Sequence, residues 1–172
     1  MISLIAAAGE KNEIGKNGRM PWNLPGDLRH FKDLTLGKTM LMGRKTFQSL
    51  PGVLPKRQHI IVTRDADFCN SHPRVQVISD LTGALLRYEA AEEEFFVIGG
   101  GQIYEAAMPY ASVIYLTRIH KNYDADAFFP EISPEQWMIA DRGPSMEEQD
   151  TRYEFITYRR RELPVKGGER FR

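Results

Sequence analysis

A single cysteine, Cys69, serves all 172 residues. That excludes an internal disulfide framework and fits a reducing compartment, so a cytoplasmic chain is expected. Charge of one sign is also lacking, because 23 basic side chains balance 23 acidic ones. No basic face is implied, which argues against nucleic acid as a partner. Long apolar runs are missing: Ile2 to Ala8 is too short for a signal peptide or a membrane span. The histidines His30, His59, His72 and His120 show no metal-ligand spacing, so no metal is expected. No serine or cysteine stands in a nucleophile context with histidine.

What is there is an alternation of strands and helices. Ile2 to Ala8 reads as a buried strand stopped by Gly9, and Glu10 to Trp22 as a polar loop. Gly26 to Leu36 reads as a helix, Thr39 to Met42 as a strand ended by Gly43, and Arg44 to Leu50 as a helix broken by Pro51-Gly52. His59 to Thr63 and Val75 to Ile78 are strands, and Leu81 to Ala91 is a helix with Asp80 as its cap. Phe95 to Ile98 is a buried strand running into Gly99-Gly100-Gly101, followed by a short helix from Gln102 to Met108. Val113 to Ile119 is a strand, and Trp137 to Ala140 with Tyr153 to Tyr158 form a closing pair. Strands apolar on both faces predict an α/β fold: a mostly parallel, twisted central sheet with helices on both faces. The last strands follow without helices, so the C-terminal edge is expected to be antiparallel. One domain over 1–160 is expected, with 161–172 as a flexible tail.

Three segments could carry chemistry. In Met20-Pro21-Trp22-Asn23-Leu24-Pro25-Gly26-Asp27, one carboxylate opens an amphipathic helix, with Leu28 and Phe31 following at helical spacing. Asp27 then faces an apolar pocket, where a carboxylate can hold a polar ring and help place a proton on it. The other reading is a helix cap. Gly99-Gly100-Gly101 lies between a strand and a helix, where ligands dock in open α/β sheets. It is either a phosphate cradle or a tight turn. The Rossmann fingerprint fails, since Tyr104 stands where its third glycine belongs. Gly43-Arg44-Lys45-Thr46 repeats the arrangement without being a P-loop. Two cations at a helix start oppose the helix dipole, so an anion is expected there. Arg64, just past Thr63, adds a third cation. Two phosphate-type sites and a flanking cation point to NADPH rather than NADH. Arg57 is either a surface charge or a fork for a carboxylate.

Together these segments resemble the bacterial single-domain dihydrofolate reductases. The resemblance runs from Met1 to about Arg160. It rests on Ile2 to Ala8, Ile14-Gly15, Met20 to Pro25, Asp27, Met42 to Thr46, Leu54-Pro55-x-Arg57, Val97 to Tyr104 and Tyr115-Leu116-Thr117. It implies a dihydrofolate-reductase-like fold and NADPH-dependent reduction of 7,8-dihydrofolate to 5,6,7,8-tetrahydrofolate. Hydride goes to C6 and a proton to N5, and the product supplies one-carbon metabolism. The implied catalytic residues are Asp27, Met20, Trp22, Tyr104 and Thr117. Thr117 hydrogen-bonds the Asp27 carboxylate, and a water beside Met20 carries the proton. Ile5, Ala7, Leu28, Phe31, Leu50, Leu54 and Ile98 match the pocket wall, and Arg57 matches the anchor of the glutamate carboxylate.

The resemblance also implies the cofactor contacts. Ala7, Ile14, Gly15, Gly18 and Met20 match the nicotinamide side, with Tyr104 beside the hydride path. Gly43, Thr46, Gly100, Gly101, Gln102 and Ile103 match the diphosphate site. Arg44, Lys45, Thr63 and Arg64 match the 2′-phosphate site, within an adenosine-binding lobe over roughly 38–105. The loop from Glu10 to Leu24 matches a mobile lid, and the Gly99–Gly100 peptide is expected to be cis. Dihydrofolate and antifolate inhibitors are the implied partners of a monomer without membrane contact. Two alternatives stand beside this one: a ribosylated-pyrimidine reductase of flavin biosynthesis, and a non-catalytic nucleotide-binding module.

Overall fold

The computed structural model describes residues 1–162, so the tail expected over 161–172 lies outside the described residues except for Glu162 and for Arg161, whose amide donates to the Gln136 carbonyl at 2.8 Å. In chain order the elements are β1 (Ile2–Ala8), β2 (Glu13–Gly15), α1 (Pro25–Thr35), β3 (Thr39–Gly43), α2 (Arg44–Ser49), β4 (Gln58–Val62), β5 (Val75–Ile78) and α3 (Leu81–Ala90). They continue with β6 (Phe95–Gly99), α4 (Gly101–Ala107), a 3-10 turn (Met108–Tyr110), β7 (Ala111–Ile119), β8 (Ala127–Phe128), β9 (Trp137–Arg142), β10 (Met146–Glu148) and β11 (Thr151–Arg160).

Period-two alternation sends each central strand's apolar side chains to two faces. On one face Leu4, Leu41, Ile60 and Val97 pack with Ala84 and Leu85 of α3 and Ala107 of α4. On the other, Ile5, Met40, Met42, Ile61 and Phe96 pack with Phe31 of α1 and Phe47 of α2. Helices thus cover both faces, as continuous apolar strands require.

The main sheet runs β10-β11-β7-β1-β6-β3-β4-β5, and β9 pairs with the other half of the outer edge of β11. The contacts of β1, β3, β4, β5, β6 and the β1–β7 pair are parallel. β11 runs antiparallel to β7, β9 and β10. This is the expected mostly parallel sheet with an antiparallel C-terminal edge. The loop expected from Glu10 to Trp22 differs in one respect: β2 lies within it and pairs with β8. That strand depends on a partner more than a hundred residues away, so local pattern gave no sign of it. No helix among the described residues is long and apolar enough to cross a membrane.

Candidate active site

The carboxyl ends of β1 and β6, the first turns of α1 and α2, and the loop before α1 enclose a cleft of about 790 Å³. Asp27 is the one carboxylate on its wall. It does not cap α1. Leu24 stands at the cap position, and no side chain of the helix's own start caps it. Instead, Asp27 Oδ1 accepts a hydrogen bond from Thr117 Oγ1 at 2.6 Å, and Thr117 is only 2 % exposed. Burial pushes the Asp27 carboxyl above its ordinary range. The Thr117 bond opposes that shift, and the charge of Glu148 adds to it.

The apolar wall holds all the expected residues but Leu54. Ile5, Ala7, Leu28, Phe31, Leu50 and Ile98 line the cleft. Tyr104 closes its floor, donating its hydroxyl to the Ile5 carbonyl at 2.7 Å. Burial, with the charge of Asp27 behind it, raises the proton affinity of this phenol, so it stays neutral. Trp22 also lines the cleft, and its buried indole N–H has no acceptor among the described residues.

Ile14, Gly15, Gly18 and the half-exposed Met20 (53 %) bring the loop after β1 to the cleft wall. This loop is tied to the segment after β7. The Asn17 amide donates to Asp126 Oδ2 at 3.0 Å, the Asp126 amide donates to the Gly15 carbonyl at 3.0 Å, and Lys16 pairs with Asp124.

Lys45 and Thr46 reach the cleft wall, while the other expected phosphate contacts do not line it. Helices α2 and α4 start side by side. A Cβ added at Gly43 would lie 4.0 Å from the Gly100 amide, and one at Gly100 would meet Thr46 Oγ1 at 3.5 Å. Neither helix has a side-chain cap or an acidic residue in its first turn. Their leading amides, including those of Gly101, Gln102 and Ile103, are free donors by helix geometry. The Gly99–Gly100 peptide between β6 and α4 is cis. Because β3 and β4 pair with Gly43 opposite Val62, Arg44 and Lys45 emerge next to Thr63 and Arg64. Free amides, close-approach glycines and clustered cations form a donor set that fits a phosphorylated dinucleotide. Among the described residues, no cluster of acidic, histidine or cysteine side chains could hold a metal.

Two expected contacts sit off the wall. Leu54 packs in the apolar cluster beneath Leu50. Arg57 is 5 % exposed, donating Nε to the Pro55 carbonyl at 3.0 Å and Nη1 to Thr35 Oγ1 at 3.3 Å. Its Nη2 edge is not engaged by those bonds. Several wall residues went unnamed at the sequence level: Ala6, Asn17, Arg19, His30, Gln48, Ser49 and Ala127. His30 was within reach of pattern alone, because it follows Asp27 by three residues on one helix face.

The dihydrofolate reductase family model matches residues 1–160. The chain belongs to the dihydrofolate reductase family. It is 38 % identical to the dihydrofolate reductase of Bacillus subtilis over 98 % of this chain and 99 % of that one. Identity is 41 % to the enzyme of Neisseria meningitidis serogroup B, covering 92 % of this chain and 98 % of that one. A solved dihydrofolate reductase from Enterococcus faecalis, complexed with NADP(H) and RAB-propyl, superposes with a TM-score of 0.81. The two are 31 % identical, with 94 % of this chain and 97 % of that one covered. The ribosylated-pyrimidine reductase and the non-catalytic module give way to this match. As a family member, the chain is an NADPH-dependent oxidoreductase.

Proposed function

We propose that Asp27 holds the pterin of 7,8-dihydrofolate in this cleft while the hydride goes to C6 and a proton goes to N5, giving tetrahydrofolate. The observation that carries this reading is the lone Asp27 carboxylate, fixed by Thr117 and set among apolar walls. Bound NADPH supplies the hydride. The protein's part is to orient and to supply the proton. Asp27 takes the pterin amino group and N3 as paired donors, and Thr117 fixes its rotamer. Its negative charge favours the protonated or correctly tautomerised ring, and its raised proton affinity keeps a proton on the Asp27–pterin pair to higher pH than an ordinary carboxyl would. Met20, at the open rim, admits the water that delivers the proton to N5. Tyr104 and Ile5 shape the floor on which the two rings meet, and Trp22 offers its indole N–H to the ligand side.

The starts of α2 and α4 would hold the diphosphate, with Thr46 between them. Arg44, Lys45, Thr63 and Arg64 would take the 2′-phosphate, within a lobe over roughly 38–105. Arg57 would anchor the glutamate tail, and Leu54 would pack beneath it. Antifolates that mimic the pterin fit the same wall. A cytoplasmic monomer is in keeping with the single cysteine and with this family.

The test is loss of NADPH absorbance with dihydrofolate, repeated with methotrexate. Oxidation that needs dihydrofolate and is abolished by methotrexate supports the reading. Oxidation without dihydrofolate, or none with it, would sink it.

A further inference from the structure

Helix α1 carries Asp27 but has no cap of its own. Its free Gly26 amide is taken from far away in the sequence. Glu148, at the end of β10, accepts it on Oε1 at 2.9 Å. The same oxygen accepts the hydroxyl of Tyr153 from β11. Gly26 leaves room for this: a side chain there would collide with both Glu148 Oε1 and the Tyr153 hydroxyl. Three residues from two ends of the chain therefore fit one another at the helix start. Glu148 lies outside the cleft wall.

We propose that Glu148 is a positioning residue for Asp27: it fixes the first turn of α1 from outside the helix and sets a second negative charge beside the catalytic carboxylate. This rests on the reading that Asp27 binds the pterin. Other groups around Asp27 differ in kind. Thr117 and Tyr104 face it as neutral hydroxyls, and Tyr153 is held as a neutral phenol, pushed up to about 12 by burial and by Glu148. On α1 itself, Arg29 acts on Tyr153, and burial lowers the proton affinity of His30, which stacks on Phe155 at 3.7 Å. Glu148 is thus the anionic neighbour of Asp27. A nearby anion disfavours the charged form of a carboxyl group, so Glu148 raises the proton affinity of Asp27.

The reaction consumes a proton, so its single-turnover rate falls as pH rises. Glu148→Gln keeps an acceptor for Gly26 and Tyr153 but removes the charge. The midpoint of that fall should move to lower pH by a few tenths of a unit, with little change in the KM for dihydrofolate. Glu148→Ala removes both cap and charge. It should show the same pH shift plus a several-fold rise in KM. Gly26→Ala should share the rise in KM, because it expels the same oxygen, but the charge stays on Glu148 and the pH midpoint should move less than in Glu148→Ala. Thermal melts of each variant establish that it is folded. A folded Glu148→Gln protein whose pH midpoint coincides with that of the parent overturns the proposal, whatever its Tm. Asp27→Asn, run alongside, separates the two readings. If it is inactive at neutral pH while Glu148→Gln is unshifted, the failure belongs to Glu148. If it turns over normally, the Asp27 reading fails and takes this one with it.

Discussion

Helix α3 starts at Asp80, whose carboxylate accepts the Gly83 amide at 2.9 Å, whereas α2 and α4 start at Gly43 and Gly100 with no cap and no acid in the first turn. Helix α3 satisfies its own end and contributes no residue to the cleft. Helices α2 and α4 leave donors free where two parallel strands end. Helix α1 is a third case, borrowing its cap from Glu148 and turning its one first-turn acid into the cleft. A capped start costs nothing in solvent but has nothing left to offer a ligand. An uncapped start gives up about 1 kcal/mol of helix stability and keeps a positive pole for an anion. The difference separates structural helices from ligand-facing ones in this fold.

The strongest way to break that comparison is at Asp27. Asp27→Asn should lower turnover at neutral pH by about 10²–10⁴-fold, the usual contribution of a positioned acid–base group. Activity should partly recover in acid, where dihydrofolate is protonated before it binds. The same substitution should stabilise the apoenzyme at neutral pH. The folded proton affinity of Asp27 is raised by burial, so the folded state loses stability as pH climbs from the unfolded pKa, near 3.9, through the folded one. Asn removes that cost, and its gain should fade as pH falls toward the unfolded value. Turnover and Tm measured across the same pH series would settle both halves. A mutant with normal turnover at neutral pH would leave Asp27 no role in the chemistry.

Next in size is Arg44→Ala, at the start of α2. A charge-assisted contact contributes about 1.5–3 kcal/mol. NADPH affinity should therefore drop by roughly tenfold or more, while NADH, which lacks the 2′-phosphate, should barely change. Isothermal titration with both cofactors reads this directly. An equal loss for both would mean that Arg44 serves the helix rather than the phosphate.

How much of this was legible in the sequence depended on range. The strands of the two-faced sheet, and Asp80 as the cap of α3, follow from spacing within a few residues, and the structure agrees with them. The glycine–cation start of α2 and the triple-glycine start of α4 are equally local. The orientation of Asp27 was not legible, because cap and pocket reading use the same residue at the same position. What decides between them is Thr117, ninety positions away, and the absence of a cap bond at Leu24. Glu148 and the β2–β8 pair gave no sign for the same reason: their partners are distant, and only the folded sheet brings them together. The hydrogen bond between Thr117 and Asp27 was reached through family resemblance rather than through pattern.

Thr117→Val sharpens the comparison from the other side of α1. The hydroxyl stabilises the Asp27 carboxylate, so its removal should raise the proton affinity of Asp27 further. The pH midpoint of the single-turnover rate should move upward, opposite in sign to Glu148→Gln. A neutral-acceptor hydrogen bond contributes about 0.5–1.5 kcal/mol and one to a charged group somewhat more. The rate at the plateau should accordingly fall far less than in Asp27→Asn. A downward shift would mean that Thr117 does not act on the charged form.

The smallest effect is expected at Asp80, and it tests the capped half of the comparison. Asp80→Ala leaves the Gly83 amide without its side-chain acceptor. Loss of such a cap costs about 0.5–2 kcal/mol, which for a domain of this size lowers Tm by about 2–4 °C per kcal/mol. The Asp80 carboxylate lies outside the cleft, and α3 packs through Ala84 and Leu85 against the strand face opposite α1 and α2. The KM for dihydrofolate, the affinity for NADPH and the pH profile should all remain those of the parent while the melt moves. If turnover or cofactor affinity fell along with Tm, the start of α3 would be coupled to the cleft after all. Self-capping would then no longer distinguish it from the starts of α2 and α4.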